Sequence, residues 1–213
     1  MIVVVGSRHD EAAKAFVASC PEGALLDADD LSRPEWVLDP CRPRPWLGVA
    51  AGMVIDDRTV TGVLVRRPAV FAEELDHIVE GDRRYVASEM TAFLRCWLWL
   101  LEVPVFNPPT AVCLGGGGWT LARWRAAAVS AGLTVARQGE GRSRVIVVGG
   151  RVVDDSERYV ASSVEALAVA AGTPFLSVSV DGEAFLAADP WPDPTRVALR
   201  DEAWGGVRPD SRS

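Results

Sequence analysis

The chain has 213 residues, of which 49% are hydrophobic and 24% charged, and its net charge is −7. This balance describes one large globular domain, or a domain with a small appendage, and excludes disorder and coiled coil. The acidic charge excludes a nucleic-acid binder held by phosphate contacts. A membrane span is excluded too, because Arg95, Glu102 and two prolines break the longest apolar stretch.

Ile2 to Val5 reads as a buried strand that ends at Gly6-Ser7-Arg8. Met1 carries no basic segment, so the start is a strand rather than a signal peptide, and a soluble, cytoplasmic protein is expected. Asp10 to Ser19 has Ala13, Phe16 and Val17 on one helical face. A short strand, Ala24 to Leu26, leads into the acidic loop 27–30, where Asp27, Asp29 and Asp30 suit a loop cap better than a metal. Residues 31–45 are proline-rich and irregular. Gly48 to Ile55 and Thr59 to Val65 flank Asp56-Asp-Arg58 and read as a hairpin or as two adjacent strands.

Asp82 to Glu102 is the clearest helix, with Asp82 able to cap it. Tyr85, Val86, Met90, Phe93, Leu94, Trp97, Leu98 and Leu101 recur at helical spacing. Cys96 falls toward the apolar side and is expected in the core. Trp99 lies roughly 160° from the centre of that stripe, the position of an interface residue. Val103 to Phe106 reads as a strand ending in Asn107-Pro-Pro109. After the glycine loop Leu114 to Trp119, Thr120 caps a helix through Ser130, and Leu133 to Ala136 reads as a strand.

Beyond this the pattern changes. Gln138 to Ser143 is a polar joint, Val145 to Val153 a strand pair turned by Gly149-Gly150, and Ser156 to Ala171 an amphipathic helix. Phe175 to Val180 and Glu183 to Ala188 form a hairpin turned at Asp181-Gly182. The fold class expected is α/β: a parallel-sheet domain over residues 1–137, a small α+β unit over 138–193, and a mobile tail over 194–213 that carries Trp204 as a second interface candidate.

Few residues here build chemistry. The four cysteines form no CxxC pair and the two histidines, His9 and His77, are isolated, so no metal site and no cofactor are expected and both histidines read as surface groups. Gly115, Gly116, Gly117 and Gly118 precede a helix, where backbone amides can cradle an anion or form a flexible turn. Cys113 beside them is a nucleophile or a small buried hydrophobe. Arg66 and Arg67 at a strand end can grip a carboxylate or phosphate bidentately, or stand solvated. Lys14 is the lone lysine among 22 basic residues, so a phosphate-contacting lysine has one candidate.

Three segments, Thr61-Gly-Val-Leu-Val-Arg-Arg-Pro68, Tyr85-Val-Ala-Ser-Glu-Met-Thr-Ala-Phe93 and Val-Pro-Val-Phe-Asn-Pro-Pro109, resemble in order the N-terminal domain of ATP-grasp ligases. The RimK-like and peptide-maturase branches are the nearest in kind, and they join a carboxylate to an amine or hydroxyl through an acyl phosphate. Cys113 to Trp124 continues the resemblance through residue 136. Arg144-Val-Ile-Val-Val-Gly-Gly-Arg-Val-Val153, with the strands around Phe175 and Phe185, resembles the end of the same fold. There the family carries an Asp and a Glu-x-Asn-Pro that hold Mg²⁺ against ATP. By register those positions are Ser179, Ala187 and Asp189, and Asp189 alone keeps an anionic oxygen.

The resemblance also implies a lid domain with a phosphate-contacting lysine, a module on the order of a hundred residues. Only Gln138 to Ser143 separate the two matching regions. The resemblance thus implies a truncated, degenerate ATP-grasp protein that acts as a non-catalytic binding or partner protein in peptide natural-product maturation. It would bind a peptide, or pair with a second copy or a biosynthetic enzyme. The alternative is an enzyme, either a carboxylate–amine ligase component or one with chemistry repurposed at the glycine loop. Binding candidates under both readings are Arg66, Arg67, Glu89, Asn107, Cys113, the four loop glycines and Arg144.

Overall fold

A computed structural model describes residues 1–39, 41, 45–136, 143–153 and 158–196. Its first layer is a four-stranded parallel sheet in the order β2-β1-β6-β7, built from β1 (Ile2–Val5), β2 (Gly23–Leu26), β6 (Gly62–Val65) and β7 (Val105–Phe106). Val3, Val4, Val5, Val63, Leu64 and Val65 are all buried, as expected of a parallel sheet covered on both faces. Odd-numbered positions Val3, Val5, Val63 and Val65 pack with Leu94, Trp97 and Leu98 of α3 (Arg83–Leu100). The same core takes in Trp46 and Ile55 from a small antiparallel sheet of β3 (Val37–Leu38), β4 (Trp46–Ala50) and β5 (Met53–Asp56). Even-numbered Val4 and Leu64 face Ala13 and Phe16 of α1 (Glu11–Ser19).

The second layer is a five-stranded sheet, β10-β9-β11-β12-β8, made of β8 (Thr134–Val135), β9 (Ser143–Val148), β10 (Arg151–Val152), β11 (Phe175–Asp181) and β12 (Ala184–Asp189). One face, with Val145, Val147, Leu176, Val178 and Phe185, is covered by α4 (Leu121–Ser130) and α5 (Arg158–Ala171). The other face turns Val148 and Phe175 into the same cluster as Val4, Phe16 and Phe106, so the two sheets share a core.

Several local expectations change. The hairpin is β4–β5, closed by Ala51 and Gly52 at φ 51° and 71°, and β6 belongs to the parallel sheet instead. Two positive φ values are what a two-residue turn between right-twisted strands requires. The acidic loop contains a short helix, α2 (Ala28–Leu31), and Asp27 does cap it, accepting from the Asp29 and Asp30 amides. Asp82 precedes α3 but its side chain makes no capping bond. Tyr85 and Cys96, placed in the apolar stripe by spacing, are exposed, because the buried arc of α3 is narrower and centred on Ala87, Leu94, Trp97 and Leu98.

Helix α4 and strand β8 pack with the second sheet, where β8 pairs in parallel with β12 at Thr134–Ala184 and Val135–Phe185. At the other end, Pro194 is buried in a 3₁₀ turn, Pro194–Arg196, that lies against α1. Trp204 and most of the joint at 138–143 lie outside the described residues.

Candidate functional site

In open parallel sheets, ligands sit beyond the carboxyl ends of the strands where the strand order reverses. Here that point lies between β1 and β6, and its loops are Gly6-Ser7-Arg8 and Arg66-Arg67. The chain fills it from within. Arg66 donates to Asp10 at 2.9 and 3.3 Å, to the Trp191 carbonyl at 3.1 Å and to the Pro192 carbonyl. Arg67 donates to the Gly6 carbonyl at 2.9 Å, to the Ala69 carbonyl at 2.8 Å and to the Glu74 carboxylate. Both guanidinium groups are buried, so neither is offered to an external anion.

Burial pushes the Glu74 carboxyl up, but the Ser7 hydrogen bond, the Arg67 charge and the Phe71 amide outweigh it. The carboxyl is held below the usual glutamate range and the pair stays ionised.

The glycine loop is also turned inward. Gly115, Gly116 and Gly117 are buried and only Gly118 is exposed. A Cβ at Gly115 would stand 2.8 Å from the Trp191 indole nitrogen and 3.1 Å from two backbone carbonyls, so no larger residue fits. The Gly115 carbonyl accepts from that indole at 3.1 Å, and the Gly116 amide donates to the Asn107 and Pro108 carbonyls. Cys113 is buried with its thiol 3.4 Å from the Gly115 carbonyl, and burial pushes the thiol up, away from the thiolate a nucleophile needs.

Asn107, at φ 57°, is fully buried. Its amide accepts from the Phe175 N–H at 2.9 Å and donates to the Phe175 carbonyl at 2.8 Å and to the Pro190 carbonyl. Asn107, Gly115 and Arg66 therefore converge on one segment, Pro190–Pro192, and strap it across the end of the parallel sheet. Glu89 lies elsewhere, on the exposed side of α3, as does Trp99, which is 57% exposed while Trp97 is fully buried.

On the second sheet, Arg144, Ser179 and Ala187 stand in one row across β9, β11 and β12, and Asp189 pairs with Ser177 one step along. The register thus brings together the positions that the resemblance assigns to magnesium. A hydroxyl, a methyl group and one exposed carboxylate occupy them. Among the described residues, no three His, Cys, Asp or Glu side chains converge as a metal site.

No protein-family model and no curated protein matches the chain. Solved structures do. The macrocyclase MdnC of Microcystis aeruginosa MRC, bound with the precursor peptide MdnA, superposes at a TM-score of 0.64 with 11% identity over 96% of this chain and 97% of that one. The ATP-grasp ligase PsnB, complexed with a phosphomimetic variant of a minimal precursor, Mg and ADP, gives 0.64 and 15% over 90% and 88%. A Chryseobacterium gregarium ATP-grasp ligase associated with ribosomal peptide maturation, holding ADP and a leader and core peptide, gives 0.55 and 7% over 91% and 90%. The chain shares the mixed α/β fold of ATP-grasp ligases that mature peptides, and no helix among the described residues is long and apolar enough to cross a membrane.

Proposed function

We propose that the protein is an ATP-grasp-derived, RimK-like binding or partner protein of peptide maturation that is non-catalytic at the ATP-grasp site. The observation that supports this reading is the row Arg144–Ser179–Ala187, where the positions that the resemblance assigns to magnesium carboxylates hold a hydroxyl and a methyl group. Mg²⁺ is held through carboxylates and substrate phosphates, and acyl-phosphate formation depends on such cations to neutralise developing charge. Removing one electrostatic contact of this kind costs about 3–4 kcal/mol, and two ligands are gone. Arg66 and Arg67, the cations nearest the sheet end, are consumed internally.

The partner is a peptide, as in the MdnC and PsnB complexes, recognised in the cytoplasm by the free chain, by a homodimer or by a heterodimer with a maturation enzyme. Calorimetric titration tests the reading: first with Mg-ATP, then with precursor peptides encoded beside the protein. Peptide binding without nucleotide binding is expected, and tight Mg-ATP binding overturns the reading.

A further inference from the structure

Outside the filled sheet end, three loops that sequence leaves unconnected meet on the surface. Ser32 ends α2, His77 follows the 3₁₀ turn Ala72–Glu74, and Arg8 follows β1. Ser32 Oγ lies 2.8 Å from His77 Nε2. On the opposite side of the ring, His77 Nδ1 lies 3.7 Å from Asp29 Oδ1 and 3.8 Å from Asp76 Oδ1. Arg8 fixes both carboxylates, at 2.5 Å to Asp29 and 3.5 Å to Asp76, and is itself tied to the Glu74 carbonyl at 3.2 Å. The Asp76 backbone carbonyl is held in turn by Arg83 at 3.0 Å.

We propose that Ser32, His77 and the Asp29–Asp76 pair form a serine nucleophile centre that acts on carboxylic esters. The arrangement follows the pattern of such centres, a hydroxyl within hydrogen-bond reach of one imidazole nitrogen and two carboxylates facing the other just beyond that reach, a contact that tightens when substrate binds. It is recognised by geometry and not by chain order. Two carboxylates beside Nδ1 favour the tautomer with its proton there, which leaves Nε2 free to take the Ser32 proton. Arg8 lowers the Asp76 carboxyl below its usual range, and hydrogen bonds and His77 add to this, so that carboxylate is ionised when the ring charges. Ser32 Oγ donates to the Ala28 carbonyl at 2.9 Å at rest, so the hydroxyl rotates its proton from that oxygen to Nε2 to react. Ser32 is exposed and His77 partly so, which lets a substrate reach the oxygen without a conformational change.

The step balances. Ser32 Oγ bonds to the acyl carbon and its proton passes to Nε2. The carbon–alkoxide bond breaks, and the alkoxide leaves as an alcohol with the Nε2 proton. Water then attacks the acyl-serine, gives a proton to Nε2, and the carboxylic acid departs as Ser32 is reprotonated. Arg8 is a positioning residue, since it acts through the two carboxylates. The ester class follows from the leaving group, because an alkoxide leaves a tetrahedral intermediate with less help than an amide nitrogen and the centre lies on an exposed surface.

This centre uses none of the residues on which the binding reading rests, so each stands or falls by its own experiment. The full-length protein is treated with a fluorophosphonate probe, followed by intact mass and peptide mapping, and p-nitrophenyl acetate release is followed in parallel. One adduct on Ser32 is expected, with labelling and release lost in Ser32→Ala and slowed about 10²-fold or more in His77→Gln, the usual worth of a positioned base. Circular dichroism confirms that both variants fold, and adduct mapping on the unsubstituted protein stands independently of them. An adduct elsewhere, no adduct, or an unchanged rate in His77→Gln overturns the proposal.

Discussion

Asn107→Ala removes a side chain whose amide closes a two-way bridge to the Phe175 backbone. The replacement leaves the Phe175 N–H and C=O without their partners at 2.9 and 2.8 Å, in a place with no solvent access. Each buried polar group orphaned in this way costs about 1–3 kcal/mol. The position also sits at φ 57°, where asparagine is tolerated and alanine pays about 1–2 kcal/mol. The sum is about 3–8 kcal/mol, a large share of the roughly 5–15 kcal/mol that holds a domain together. Urea unfolding followed by tryptophan fluorescence measures it. Asn107→Gly separates the two terms, since it loses the same bridge but relieves the backbone, and it is expected about 1 kcal/mol above the alanine variant. A loss below about 1 kcal/mol for Asn107→Ala would refute the view that this amide joins the two sheets.

The Glu74 carboxyl has its folded pKa below the unfolded value, so its stabilisation is present above that unfolded value, about 4.3, and is lost as pH falls through the folded one. Glu74→Gln should therefore be less stable than the parent at pH 7 by about 3 kcal/mol, as for a broken buried pair, with the gap closing toward pH 3 in urea titrations. Ala51→Asn should stabilise by about 1 kcal/mol, read as a higher unfolding midpoint, because asparagine accepts the positive φ that the β4–β5 turn imposes. Trp99→Ala should leave the melting temperature within about 2–4 °C of the parent and, if α3 pairs with a partner, shift sedimentation toward monomer. An unfolded variant with unchanged association would place Trp99 in the core.

Much of the fold was legible where burial repeats with a fixed period. The apolar runs at Ile2–Val5 and Gly62–Val65 announce strands covered on both faces, and α3 carries its buried arc in its spacing. What was not legible depended on turns and on distant pairing. Ala51-Gly52 is a weaker turn signal than Asp56-Asp57, yet the hairpin closes at the former, where Gly52 takes left-handed backbone freely and Ala51 is held in it by the pairing of β4 with β5. The move of α4 and β8 to the second sheet rests on pairing between Thr134 and Ala184, fifty residues apart in sequence, which no local pattern encodes. Ser32 and His77 were invisible for the same reason, each being an ordinary surface residue until the loops meet.

Arg66, Arg67, Asn107, Gly115 and Gly116 are engaged within the chain for one physical cause. A guanidinium, a glycine amide or a buried asparagine amide at a strand end is a strong hydrogen-bonding group, and it will be satisfied by whatever polar atoms are nearest. In this chain the nearest atoms are its own. The carbonyls of Pro190, Trp191 and Pro192 reach Asn107 and Arg66, and the Trp191 indole reaches Gly115. Residue types that would mark a ligand site in an open sheet therefore mark an internal seam here. Exposed charge is left on the second sheet at Arg144 and Asp189, beside Ser179 and Ala187, with Asp189 accepting from the Trp191 amide at 2.9 Å. On the proposed binding reading, one exposed cation with one carboxylate suits recognition of a peptide backbone and its side chains better than a triphosphate with its metal.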